Sequence, residues 1–125
     1  MRTWLEGLPE VVREAGISLS EHGANEMCFR RMDALRVIDA MRRSELPCLG
    51  GDEWLVGDGV FRPSYESWYV LRGVGESMEH LAKRSWEDAG RFVRERLRPE
   101  SCVVFVVGPY QDPKKTTTFT PQSGQ

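Results

Sequence analysis

Leu46 to Tyr69 contains Val56-Gly57-Asp58-Gly59-Val60, and this turn signal constrains the fold more than any other stretch of the chain. An Asp-Gly pair readily takes the positive φ angles of a tight hairpin turn. With Asp58-Gly59 as a two-residue turn, Val56 faces Phe61, Trp54 faces Pro63 and Asp52 faces Tyr65. Side chains alternate along a strand, so Trp54, Val56, Phe61 and Tyr65 share one face, read here as the core side. The other face carries Glu53, Leu55, Val60, Arg62 and Ser64, a mixture charged enough to meet water or a partner. Pro63 cannot donate to a ladder, so the second strand is an edge or is bulged there. Gly50-Gly51 marks a bulge or a close approach of another backbone or a partner.

Helical periodicity flanks this hairpin. Ala34, Leu35, Ile38 and Met41 recur at spacings of three and four, which predicts a helix over 31–46 that Pro47 ends. Arg42 and Arg43 suit its last turn, where the helix dipole favours positive charge. A longer stripe, Met78, Leu81, Ser85, Ala89, Phe92, Val93 and Leu97, predicts a helix over 77–97 with Ser77 as its N-cap. A short helix is expected over 9–15, and a structured loop over 17–28 with a turn of helix around Ala24 to Phe29. Cys102 to Val107 is an apolar, mostly β-branched run and predicts a central strand buried on both faces. The fold class is therefore α+β: a small, mostly antiparallel sheet, made of the hairpin at 47–71 and the strand at 102–107, packed against two amphipathic helices. Residues 1–111 read as one domain, and 112–125, polar and without core periodicity, as a disordered tail.

At 125 residues the chain can bury a core, and no apolar run is long enough to span a bilayer. Without the apolar centre of a signal peptide at its start, the cytoplasm is the default location. Cys28, Cys48 and Cys102, odd in number and widely spaced, read as buried thiols of a reducing compartment.

The net charge of −2 implies neither a nucleic-acid nor a membrane partner. Acids concentrate in two places. Residues 1–27 carry five glutamates against Arg2 and Arg13, and the hairpin carries Asp52, Glu53, Asp58 and Glu66 against Arg62. That distribution favours a basic partner.

Motifs for chemistry are missing. There is no C-x-x-C, H-x-x-x-H or EF-hand loop, no P-loop and no G-x-S-x-G elbow, so no metal, cofactor or catalytic residue is assigned. Gly73-Val74-Gly75-Glu76-Ser77-Met78 fails as a dinucleotide fingerprint, because Met78 stands at the third glycine and Glu76 would repel a phosphate. Asp52-Glu53 is a fragment of a nuclease carboxylate pair, but adjacent strand residues point to opposite faces. His22 has no nucleophile in a known pattern near it.

The order and spacing of Ile17-Ser18-Leu19, Ala24-Asn25, Ala34-Leu35, Ile38, Leu46-Pro47-Cys48-Leu49-Gly50-Gly51-Asp52, Tyr65-Glu66-Ser67-Trp68-Tyr69 and Lys83-Arg84-Ser85-Trp86 resemble the immunity protein 40 family. The resemblance covers roughly residues 17–97. It implies a small α+β protein of a bacterial polymorphic toxin system that binds and neutralises a toxin, with no catalytic residues carried over. Glu53 stands where an apolar strand residue is expected. The toxin-facing candidates are Asp52, Glu53, Asp58, Tyr65, Glu66 and Trp68, acids for steering and aromatics for anchoring. Two other classes stay open: a small-molecule-binding module using a pocket beside Gly50-Gly51, and a hydrolase using His22 or a cysteine.

Overall fold

The computed structural model describes residues 3–110. The predicted tail at 112–125 lies outside the described residues. After a 3₁₀ turn at Thr3–Gly7 the elements run α1 (Glu10–Glu14), β1 (Ile17–Ser18), β2 (Met27–Arg30), α2 (Arg31–Arg43), β3 (Cys48–Gly57), β4 (Val60–Tyr69), α3 (Met78–Glu95) and β5 (Cys102–Val107). The strands form one sheet in the order β1-β2-β5-β3-β4, with every pairing antiparallel. The α+β class is therefore observed. β5 is central, and Cys102 to Phe105 are buried on both faces, as the unbroken apolar run implies.

The helices cover one face of the sheet. Val37, Ile38 and Met41 of α2 and Phe92 and Val93 of α3 pack with Phe29, Val103 and Phe105. Ser77 caps α3 by accepting the His80 N–H at 3.1 Å. The two long helices are fastened at both ends: Trp86 Nε1 donates to the Leu46 carbonyl at 2.7 Å, and Arg31 donates to the Leu97 carbonyl. Ser85, buried in α3, accepts the Cys48 N–H at 3.1 Å and ties the helix to the start of β3. Those bonds fix the root of the hairpin against the helical layer.

A smaller core occupies the opposite face, because Cys102 and Val104 alternate with Val103 and Phe105. Leu19, Cys28, Cys102 and Val104 form it, with Trp54, Val56 and Phe61 packed against them from the hairpin. The segment leading into β2 covers it, and the His22 ring lies 4.7 Å from that of Phe61. His22 is thus a half-buried packing residue.

Three expectations are corrected here. Met27–Arg30 is a strand, β2, where a turn of helix is predicted; pairing with β5 on one side and β1 on the other decides it over local propensity. Cys28 and Cys102 are not free thiols. They form a disulfide across β2 and β5 with Cα atoms 5.6 Å apart, within the range such a bond requires. Spacing in the sequence conceals the pair because it lies 74 residues apart and is brought together only by the sheet. The hairpin's expected core face is the small-core face for Trp54, Val56 and Phe61, but Tyr65 is absent from it, for a reason that defines the site.

Candidate functional site

The turn itself follows the sequence. Asp58 and Gly59 both have positive φ, 53° and 73°, as a primed hairpin turn demands, and Val56 faces Phe61 and Trp54 faces Pro63. Beyond that the register shifts, and Asp52 faces Ser67 instead of Tyr65. Between the two pairs Glu53 stands alone opposite three residues, Ser64, Tyr65 and Glu66. This is a β-bulge on the strand that Pro63 marks as an edge.

Glu53 holds the bulge from beneath. The expectation that it lies on the exposed face is overturned: the residue is 0% exposed. The end of α3 and the chain after it close over this point. Glu53 Oε1 accepts from the Ser64 hydroxyl at 2.7 Å and lies 3.4 Å from Arg98 Nη1, while Oε2 accepts the Arg98 N–H at 3.0 Å. Burial works to raise its pKa, but the Arg98 N–H, the Ser64 hydroxyl, the Arg98 guanidinium and the Ser101 hydroxyl outweigh it and hold the carboxyl below its ordinary value. A charged group is therefore kept charged inside the fold. Ser64 Oγ passes the constraint on, accepting the Glu66 N–H at 3.0 Å and so bridging the residues on either side of Tyr65.

Tyr65 is left at φ 70° and is 89% exposed. A non-glycine residue in the left-handed region is disfavoured by roughly 1–2 kcal/mol. Glu66 reaches back toward the helices and pairs with Arg96, whose guanidinium also lies 5.3 Å from the centre of the Phe92 ring. Trp68, expected at a binding surface, is instead a packing residue. Its ring stacks on Phe92 with centroids 4.4 Å apart and meets Phe105 edge-on. Gly51 is the reason it fits: a Cβ there would come within 2.5 Å of the Trp68 ring and 2.8 Å of the Val104 carbonyl. The space beside Gly50-Gly51 is filled by this protein's own chain, so the small-molecule pocket placed there by the sequence is taken up by Trp68.

The six candidates therefore separate. Asp52, Asp58 and Tyr65 are exposed, Glu66 is partly exposed and paired, Glu53 is buried and Trp68 belongs to the core edge. Asp52 lies on the small-core face, where partial burial and then the neighbouring Glu26 raise its pKa. The sequence places Val60 on the outward face, where it is found, but sequence reasoning missed Tyr69, Leu71 and Val74. Among the described residues, five of the eight large apolar residues that are exposed fall between 60 and 74: Val60, Tyr65 and Tyr69 on β4, the open edge of the sheet, and Leu71 and Val74 in the loop after it. Pro63 and the polar-apolar mixture of β4 were the available signal.

The loop beyond β4 is pinned. Glu76 accepts from Arg84 at 2.8 Å and from the Gly73 N–H at 2.7 Å and lies 2.6 Å from His80 Nδ1, and Arg84 donates to the Leu71 carbonyl at 2.6 Å. Arg84 first, then the Gly73 N–H and His80, hold Glu76 far below the usual carboxylate range. The remaining thiol, Cys48, is buried and its pKa is pushed up to about 12 by that burial, which makes it a poor nucleophile. Among the described residues no group of three or more His, Cys, Asp or Glu could hold a metal ion. None of the helices described is long and apolar enough to cross a membrane.

Residues 18–107 match the family described as Immunity protein 40, a span that takes in β2 to β5, both long helices and the whole bulge. The chain belongs to the Immunity protein 40 family. Neither a curated protein nor a solved structure gives a match. Within this Immunity protein 40 chain the matched region ends at Val107, the last residue of β5.

Proposed function

We propose that this chain is an immunity protein of a polymorphic toxin system. It binds and neutralises a cognate bacterial toxin domain by surface contact, with no catalysis of its own. The observation that carries the reading is the exposed apolar residues Val60, Tyr65 and Tyr69 on β4, the open edge of the sheet, in a chain of an immunity family. Contact through Tyr65, Tyr69 and Val60 would supply the buried part of such an interface, and Asp52 and Asp58 would steer a basic partner toward it. Glu66 contributes less, because Arg96 already compensates it. The cytoplasmic setting expected from free thiols loses that support, since a disulfide suits an oxidising compartment.

Co-expression with the toxin domain encoded beside it, together with a pull-down of the tagged protein, tests the reading. Recovery of one toxin domain whose toxicity is lost on co-expression is the expected result. Undiminished toxicity and no recovered domain would overturn it. In the purified pair, Asp52→Lys with Asp58→Lys should slow association by roughly tenfold in low salt and much less in high salt, with dissociation and thermal stability almost unchanged. Stopped-flow mixing at two salt concentrations reads this directly.

A further inference from the structure

The fold gains nothing from a tyrosine at position 65. Its backbone sits where glycine or asparagine would be unstrained, and its side chain makes no hydrogen bond or ring contact with the described residues. Yet the bulge that carries it is built with unusual care. A fully buried carboxylate, Glu53, is fixed from one side by Arg98 and on the other grips Ser64, which in turn bonds the N–H of Glu66. Pro63 stiffens the chain just before it. The same two features, the proline and the bulge, interrupt the outer edge of β4 and oppose the addition of a partner strand along it. What the edge offers there is a side chain.

We infer that Tyr65 is the anchor of the toxin interface, inserted into a recess of the partner, and that Glu53 and Ser64 are positioning residues that hold it out. This rests on the immunity reading above and adds to it the mode of contact. The fitting recess has apolar walls for the ring, a hydrogen-bond partner for the phenol and a basic rim facing Asp52 and Asp58. A tyrosine already fixed in its bound backbone conformation loses little freedom on insertion, which is what an anchor requires.

The test uses the toxin domain recovered with the wild-type chain, inactivated by mutation, and reads affinity and melting temperature together. Tyr65→Gly should raise the melting temperature by roughly 3–5 °C, by releasing the strain, while weakening binding by roughly 30-fold. Tyr65→Phe should keep most of the affinity. Ser64→Ala, which frees the bulge but leaves the ring, should weaken binding by a smaller factor, and Ser64→Thr should restore it. Wild-type binding with an unaffected Tyr65→Gly variant overturns the anchor and leaves the immunity reading standing. A melting temperature that falls in parallel with affinity assigns Tyr65 a structural role and also overturns it. A wild-type chain that captures no toxin domain overturns both.

Discussion

Glu53→Lys should destabilise the fold by roughly 3–5 kcal/mol, the range for leaving an uncompensated charge at a buried position. The expected value is at the upper end. The substitution strands the Ser64 hydroxyl and the Arg98 N–H without their acceptor and sets an ammonium against the Arg98 guanidinium, at a position with no solvent access. Glu66→Lys is the matched control. The Glu66 side chain is 42% exposed and its pair with Arg96 is at the surface, so the same change of charge should move stability by less than about 1 kcal/mol. Urea denaturation of the two variants separates them. Equal, small effects would mean that Glu53 does not support the bulge.

The sign of the pH dependence follows from the same carboxylate. Folded Glu53 holds its proton less readily than the unfolded chain does, so its contribution is complete above the unfolded value, about 4.3, and is lost as pH falls through the lower folded value. Glu76 acts in the same sense, since its folded pKa is also depressed. Glu53→Gln should therefore remove only part of the acid sensitivity. Stability measured between pH 6 and 3 should fall less steeply for this variant than for the wild type, by a difference below the slope of one proton.

These two glutamates also mark what the sequence could and could not reveal. The turn at Asp58-Gly59, both long helices, the Ser77 cap and the central β5 were legible because each is set by local chemistry or by a period that neighbouring residues share. The bulge was not legible in register, although Pro63 signalled its neighbourhood. A strand reading assigns faces by alternation: Glu53 keeps its place in β3 and is buried because the chain after α3 covers that face, while three residues opposite one break the count in β4 and send Tyr65 outward. Pairings such as Glu53 with Arg98 and Cys28 with Cys102 bring together residues 45 and 74 positions apart, and no local pattern announces them. The four acids of the hairpin separate for the same reason: two of them meet arginines from the end of α3 and the chain after it, leaving Asp52 and Asp58 as its exposed acids.

Breaking Cys28–Cys102 is expected to reduce stability by about 4 kcal/mol, because the bond closes a loop of 74 residues that the unfolded chain would otherwise keep open. Both sulfurs are sealed from solvent, so reductant should act on the folded protein only as fast as it opens. The measurement is urea unfolding of the wild type with and without reductant, beside a Cys28→Ala, Cys102→Ala double variant. Reductant should lower the wild-type midpoint to near that of the double variant and leave the latter unmoved. A wild-type midpoint indifferent to reductant would mean that the two cysteines stand unbonded in solution. In the folded chain the buried Cys48 thiol, its pKa pushed up to about 12, is a poor partner for exchange, and a Cys48→Ala background removes it from the unfolded chain as well. The bond lies in the small core on which Trp54, Val56 and Phe61 rest, directly below the outer half of the hairpin. Its loss should thus loosen the presentation of Asp58 and Tyr65 before the helical layer gives way, so that toxin affinity falls at urea concentrations where α2 and α3 are still folded. If affinity and helical signal are lost together, the two cores unfold as one unit and the disulfide serves the whole fold.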